Sequence, residues 1–135
     1  MAPSHIHVPT NCRTVTEILS RVGDKWSIQV VVQLGDGPKR FNELRRIVDG
    51  ISQRMLTLTL RGLERDGLVH RTVYPTIPPR VEYRLTEMGC SLLKIVRALG
   101  EWVICNRDMI LEARRRFDAA EGAVQSPPAY RSDTA

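Results

Sequence analysis

Apolar residues between positions 52 and 66 recur at steps of three and four, the spacing of a helix with one buried face. The residues on that face are Met55, Leu56, Thr59 through its methyl group, Leu60 and Leu63. Ser52 stands at the start, where its hydroxyl can accept a hydrogen bond from a free N–H of the first turn. A shorter amphipathic helix is predicted over residues 41–48, and the Asp49-Gly50 turn separates the two helices.

Two stretches downstream have the composition and alternation of strands. Residues 68–74 are rich in β-branched and aromatic side chains, and residues 81–85 alternate apolar with charged positions. The three prolines within residues 75–80 cannot continue a ladder, so they predict a stiff loop that ends at Arg80. Two helices joined by a turn and followed by two strands form a winged helix-turn-helix. The predicted fold class is therefore mostly α with a small antiparallel β-hairpin, an α+β arrangement.

Two helices are predicted before this unit. Residues 14–22 have apolar positions at helical spacing, with Thr14 as a candidate cap. Residues 25–34 are nearly all apolar, and their β-branched side chains would also suit a strand. The Gly23-Asp24 pair before them and their position between two helices favour a buried helix.

A last helix is predicted after Thr86, where apolar residues step by four, three, four and three. These residues are Met88, Leu92, Ile95, Leu99 and Trp102. Leu93, Val96 and Val103 widen this apolar seam. One side of the seam must cover the winged unit, and the surplus width predicts a dimer formed through terminal helices. The residues expected at the dimer interface are Val15, Leu19, Leu92, Ile95, Leu99 and Trp102.

These elements predict four segments along the chain. Residues 1–11 should be a flexible arm, and residues 12–104 the winged helix-turn-helix domain with its dimerisation helix. Residues 105–120 should form a helical extension, and residues 121–135, small, polar and proline-bearing, a disordered tail. No internal repeat is present.

The charge is concentrated in the winged unit. The chain carries a net charge of +5, and residues 39–84 contain ten basic and five acidic residues, which accounts for the whole excess. Nine of the ten are arginines, whose planar fork suits phosphate and guanine. The charge therefore favours a polyanionic partner.

The polar face of the longer helix should meet base edges, because arginine and glutamine pair with guanine and adenine and leucine can touch a thymine methyl. The residues expected at bases are Gln53, Arg54, Thr57, Leu58 and Arg61. Those expected at phosphates are Arg40, Arg45, Arg46, Ser52 and Arg80. For this helix alone, a solvated face with one stray leucine is the alternative interpretation.

The sequence contains no recognisable catalytic or cofactor-binding motif. The chain has three histidines and no glycine-rich phosphate loop, HExxH motif or Ser/His/Asp set at a family spacing, so we predict no enzyme activity and no cofactor. Its three cysteines form no CxxC pair, which argues against a zinc ribbon or a thioredoxin-like site. His5, His7 and Cys12 on a flexible arm are weak evidence for a metal, and we predict none.

The cysteine usage predicts a reduced, cytoplasmic protein. The sequence shows no signal-peptide pattern and no apolar run of membrane-spanning length, so we expect no membrane partner.

Several motifs together resemble the HxlR family of bacterial transcription regulators. They are Gly23-Asp24-Lys25-Trp26, Gly37-Pro38-Lys39-Arg40-Phe41-Asn42-Glu43-Leu44, Gly50-Ile51-Ser52-Gln53-Arg54-Met55-Leu56, Leu63-Glu64-Arg65-Asp66-Gly67-Leu68-Val69 and Pro78-Pro79-Arg80-Val81-Glu82-Tyr83-Arg84-Leu85-Thr86. The motifs are specific as a set and, with Cys12, cover about residues 12–102. The resemblance implies a homodimeric winged-helix regulator that binds double-stranded DNA. Gly62 and Leu58 depart from the charged and polar residues usual in the family.

Cys12 lies just before the first predicted helix, beside Arg13. The helix dipole and the neighbouring cation both favour the thiolate, the nucleophilic and oxidisable form. Cys12 also matches a cysteine common in the family, through which some relatives sense electrophiles or oxidants. We therefore treat Cys12 as a candidate redox sensor and an oxidant or small molecule as a candidate effector. The alternative is a small residue packed at a helix start.

The function predicted is that of a dimeric transcription regulator, a repressor that binds double-stranded DNA in a sequence-specific manner. The main alternative is a protein-interaction module built on the same winged helix. Salt distinguishes the two, because affinity for a DNA duplex must fall steeply with ionic strength.

Overall fold

Residues 12–125 are described in a computed structural model, and they form five helices and one small sheet. The helices are α1 (Arg13–Val22), α2 (Lys25–Leu34), α3 (Phe41–Ile47), α4 (Gln53–Arg65) and α5 (Glu87–Gln125). The strands are β1 (Lys39–Arg40), β2 (Val69–Tyr74) and β3 (Arg80–Leu85). The predicted arm, residues 1–11, and residues 126–135 of the predicted tail lie outside the described residues. The element order confirms the winged helix-turn-helix.

Short polar side chains mark where α2 and α4 begin. The Oδ2 atom of Asp24 accepts hydrogen bonds from the backbone N–H groups of Trp26 and Ser27, each at 3.2 Å. The Oγ atom of Ser52 accepts a hydrogen bond from the N–H of Met55 at 3.1 Å, which confirms the predicted cap of α4.

The first helix begins one residue earlier than its pattern predicts. α1 starts at Arg13, and Cys12 is its N-cap residue with extended backbone angles. The prediction that Thr14 caps this helix is therefore wrong. The Cys12 carbonyl accepts hydrogen bonds from both the N–H and the hydroxyl of Thr16 at 3.0 Å, and these bonds close the first turn.

The sheet has three antiparallel strands in the order β1–β3–β2. The hairpin of β2 and β3 is the predicted one, with Val69 opposite Leu85 and Tyr74 opposite Arg80. The added strand β1 pairs Lys39 with Tyr83. Two residues are too few to show an alternating pattern, so this strand was not predicted.

The core lies between α2, α4 and the sheet. Helix α4 contacts both α2 and β2, and its inner side chains Leu56, Leu60 and Leu63 are buried. The other fully buried large side chains are Val30, Val31, Leu44 and Val48. Leu93 at the start of α5 completes this cluster. The winged helix-turn-helix is therefore stabilised by one hydrophobic core that α2 and the start of α5 complete.

A single helix, α5, replaces the two segments predicted over residues 87–104 and 105–120. No proline interrupts it, and the side-chain amide of Asn106 donates a hydrogen bond to the carbonyl of Trp102 at 2.8 Å. The helix also includes residues 121–125, which the sequence assigned to the tail. The described residues divide into two compact units, one ending at Arg97 and the next beginning at Ala98. Within residues 12–125, no helix combines the length and apolarity needed to cross a membrane.

Gly89 is buried near the start of α5, where it lies against the backbone of Leu68. A Cβ atom added to it would lie 3.1 Å from the Leu68 carbonyl carbon, 3.2 Å from the Cδ2 atom of Leu85 and closer still to the Leu68 carbonyl oxygen. Gly89→Ala should lower the free energy of unfolding by about 1–3 kcal/mol, the usual cost of overpacking, although alanine favours helices. Urea denaturation measures this change.

The matched control is Gly122→Ala in the same helix, where an added Cβ meets no atom within 4 Å. That variant should be as stable as the parent or slightly more so. Equal stability of Gly89→Ala and the parent would mean that α5 and Leu68 do not approach each other this closely.

Candidate nucleic-acid interface

The outer face of α4 is exposed along the helix. Its inner face is buried, and because a helix presents residues three and four apart on one side, the remaining positions point outward. The exposed residues on the outer face are Gln53, Arg54, Thr57, Leu58 and Arg61. The structure thus brings all five predicted base-contact residues onto one open surface. Met55, predicted on the apolar face, lies at its edge with 38% of its surface exposed.

Two hydroxyl groups near this face take part in local hydrogen bonds. The Thr57 hydroxyl donates to the Gln53 carbonyl at 2.9 Å, so its oxygen lone pairs and methyl group remain for an incoming ligand. The Ser52 hydroxyl oxygen caps α4, and its hydrogen can still be donated to an acceptor such as phosphate. Both groups are compatible with their predicted contacts.

Leu58 is a large apolar side chain on this polar face, with 52% of its surface exposed. It borders a shallow depression that is also lined by Gln53, Arg54 and Thr57. A leucine among hydrogen-bonding side chains suits a thymine methyl better than it suits water. On its other side, Leu58 lines a groove between α1 and α4.

An arginine-lined cleft of about 820 Å³ separates the start of α3 from the wing loop, residues 75–79. Arg40, Arg46 and Arg80 all line it, so three of the five predicted phosphate contacts meet at one place. Glu43 also lines the cleft, and its carboxylate accepts a hydrogen bond from the Arg40 backbone N–H at 3.3 Å. Arg45 is exposed on α3 but does not line this cleft.

Arg80 is held more firmly than a loop residue would be. It is the first residue of β3, and its guanidinium carbon lies 4.5 Å from the centre of the Tyr74 ring, a cation–π contact. Its Nε atom lies 3.5 Å from a carboxylate oxygen of Glu82, too poorly aligned for a hydrogen bond, and is buried. The two Nη atoms are therefore the groups that Arg80 can offer to a phosphate.

The wing loop presents an apolar tip. Ile77 is fully exposed, and the loop around it is tied by a 2.8 Å hydrogen bond from the Thr76 hydroxyl to the Pro78 carbonyl. The Thr76 N–H also donates to the Tyr74 carbonyl at 2.8 Å. These bonds fit the stiff loop that the prolines predict.

Arg71 is a candidate contact that the sequence reasoning missed. It is exposed on β2 and lines a groove with Arg61, Thr57 and Glu64. The sequence shows Arg71 only as one of several charged residues on a predicted strand. Strand pairing and helix packing decide which of these residues lies beside α4.

Cys12 is half-buried at the N-cap of α1, whereas Cys90 and Cys105 are exposed, and all three are free thiols. The Arg13 guanidinium pairs with Glu17 at 3.1 Å, so its charge is partly compensated. Among residues 12–125, no group of three or more His, Cys, Asp or Glu side chains is arranged to hold a metal ion.

The residues predicted at a dimer interface differ in how far their own subunit covers them. Leu19, Ile95, Leu99 and Trp102 are each at least half exposed. Val15 is half-buried, and Leu92 packs partly against the core. Leu93 and Val96 lie on another side of α5 and are buried, so this side of the seam is covered by the chain itself.

Comparison with known proteins gives a matching family and close relatives. A family model described as an HxlR-like helix-turn-helix matches residues 21–110. An HTH-type transcriptional regulator of Bacillus subtilis strain 168, YybR, is 54% identical over 97 residues, which span 72% of this chain and 77% of that protein.

Two solved structures have similar folds. The transcriptional regulator ytfH of Salmonella typhimurium has a TM-score of 0.72 and 38% identity, covering 79% of this chain and 95% of its own. The redox regulator HypR in its reduced form has a TM-score of 0.68 and 50% identity, covering 73% of this chain and 98% of its own.

Proposed function

The chain belongs to the HxlR family of helix-turn-helix transcription regulators, and from this premise we propose that it is a homodimeric repressor that recognises a palindromic DNA duplex. The observation that carries the proposal is the exposed polar and cationic face of α4 beside the arginine-lined cleft. We propose that the protein is not an enzyme. We also propose that it binds DNA in the cytoplasm. Repression would follow from occupation of a site that overlaps a promoter. In vitro transcription from such a promoter should fall as the protein is added, and a rise would reverse the assignment.

The contacts divide into two classes. Arg54 and Arg61, with Gln53, Thr57 and Leu58, are proposed to meet base edges in the major groove. Arg40, Arg45 and Arg46, with Ser52 and the Nη atoms of Arg80, are proposed to meet phosphates, which fix register without reading sequence. Arg71 joins the phosphate class on the strength of its position beside Arg61.

A homodimer is supported by the apolar surface that the single chain leaves open. Ile18 and Leu19 of α1 are each just over half exposed, and Ile95 and Trp102 of α5 more so. Packing such side chains against a second subunit would remove apolar surface from water. A two-fold dimer would place two α4 helices about 34 Å apart on one face of the duplex, as a palindromic site requires.

Regulation through Cys12 is supported by its half-buried place at the helix N-cap and by the likeness to a redox regulator. We propose that oxidation or alkylation of this thiol changes affinity for the operator. The second candidate for this regulation is a small-molecule effector that binds without modifying the thiol.

A protein-interaction module remains the alternative function, and salt dependence tests it. The DNA proposal requires that affinity for a duplex fall steeply between about 50 and 200 mM salt. Fluorescence anisotropy with a labelled duplex measures this affinity at each salt concentration. If the wild-type chain does not bind duplexes even at low salt, the protein-interaction module is favoured.

Arg54→Ala and Arg61→Ala should each weaken binding to an operator selected in vitro by about 10- to 100-fold, since a bidentate base contact contributes about 1–3 kcal/mol. Binding to an unrelated duplex should fall much less. Arg65→Ala, in the last turn of the same helix, is the matched control and should change both affinities little. Equal losses on both duplexes would move Arg54 and Arg61 to the phosphate class.

Arg40→Ala, Arg45→Ala and Arg46→Ala should each reduce the slope of log affinity against log salt by about one unit, because one fewer counterion is released. The measurement is a salt titration on the selected operator. Arg115→Ala, on α5 outside the proposed contacts, should leave the slope unchanged. An unaltered slope in the three test variants would count against phosphate contacts.

Leu99→Glu should convert the dimer to a monomer in sedimentation velocity, because the new carboxylate would be buried in the proposed apolar interface. Its affinity for the full operator should fall with dimerisation. Lys94→Glu, which places the same carboxylate at an exposed polar position of α5, should remain dimeric. A wild-type chain that sediments as a monomer would remove the dimer from the proposal.

Treatment with a thiol oxidant or N-ethylmaleimide should change operator affinity of the wild type by at least several-fold and leave Cys12→Ser unaffected. The variant retains Cys90 and Cys105, so it controls for reaction at the exposed thiols. If both proteins respond alike, Cys12 is not the sensor.

A further inference from the structure

Helix α1 is joined to the rest of its unit by few side chains. None of its ten residues is fully buried. Its last turn is the exception to this loose attachment, because Val22 packs against the core and Arg21 reaches α4.

The guanidinium of Arg21 occupies the space beside Gly62 of α4, where any other residue would carry a Cβ atom. A Cβ atom added to Gly62 would lie 2.8 Å from the Nε atom of Arg21 and closer still to the guanidinium carbon, which no real Cβ tolerates. The Nε atom also lies 3.5 Å from a carboxylate oxygen of Asp66, the C-cap residue of α4. Gly62 therefore leaves the space that the guanidinium occupies, and Asp66 supplies the opposite charge.

This contact belongs to one side of α4. Met55, Thr59, Gly62 and Asp66 follow one another at steps of four, three and four, so they line a single ridge of the helix. The groove between α1 and α4, about 380 Å³, is lined by Met55 and Thr59 of this ridge and by Arg21 of α1. Helix α1 thus flanks the helix that carries the proposed base contacts.

Helix α1 also exposes apolar side chains. Ile18 and Leu19 are 51% and 53% exposed, and Leu19 belongs to the proposed dimer surface. A partner subunit bound at this surface would fix the position of α1, and Arg21 would in turn fix the position of α4 relative to α1.

We propose that Arg21, seated on Gly62 and paired with Asp66, is a positioning residue that fixes α4 relative to the dimer interface and so sets the half-site spacing that the protein accepts. This inference rests on the proposed binding of a palindromic operator by a homodimer. Arg21 itself touches no DNA in this scheme.

Gly62→Ala tests the contact without removing a charge. The atoms in its way are the end of a flexible side chain, so the guanidinium moves aside and the fold survives. Because alanine favours helices over glycine, thermal stability should not fall. A merely structural role for Arg21 predicts that operator binding is then kept as well.

The experiment measures affinity for three duplexes: an operator selected by the wild type from a random library, the same operator with one base pair added between half-sites, and a single half-site. Gly62→Ala and Arg21→Ala should each bind the selected operator about tenfold more weakly, a typical size for altered coupling. Both should discriminate less against the altered spacing, and both should bind the half-site as the wild type does.

The double variant Arg21→Ala/Gly62→Ala should lose no more affinity than either single one, because both remove the same contact. Gly122→Ala is the matched glycine control and should behave as the wild type on all three duplexes. Unchanged spacing preference in Gly62→Ala, or equal losses on operator and half-site, would overturn the inference while leaving DNA binding intact. Failure of the wild type to bind any duplex would instead remove the proposed function, and this inference with it.

Discussion

The burial of one face of α4 is the constraint on which the rest of this structure depends. Leu56, Leu60 and Leu63 are removed from water against α2 and β2, and each such side chain contributes roughly 1.5–3 kcal/mol. A helix is rigid, so fixing its inner face also fixes the direction of its outer face. The exposure of Arg54, Arg61 and their neighbours follows from the core and needs no separate stabilisation.

Around this helix, the fold collects cations from distant parts of the chain. Arg40 comes from β1, Arg46 from the last turn of α3, and Arg80 from the strand beyond the wing loop. Arginines gathered without full compensation repel one another, and a polyanion relieves that repulsion. Contacts with Tyr74 and Glu82 already hold Arg80, so less side-chain entropy is lost when it meets a phosphate.

The two outer helices are incompletely covered by their own subunit, and this connects the fold to the proposed assembly. Along α5, Leu93 and Val96 are buried while Ile95, Leu99 and Trp102 are exposed, so one helix carries an inner and an outer apolar side. Helix α1 exposes Ile18 and Leu19, and Arg21 joins it to α4. A partner on α1 would therefore act on an element that contacts α4 directly.

The sequence by itself determined the first four helices, the hairpin, the Ser52 cap and the common face of the five proposed base contacts. Each of these depends on periodicity or capping within a few residues, which a single sequence displays. Only the tertiary structure decided the short strand β1, the stacking of Arg80 on Tyr74, the placing of Arg71 beside Arg61 and the seat of Arg21 on Gly62. These features join residues that are separated along the chain or form elements too short for a pattern. The close approach that Gly62 allows has meaning only once the two helices are packed.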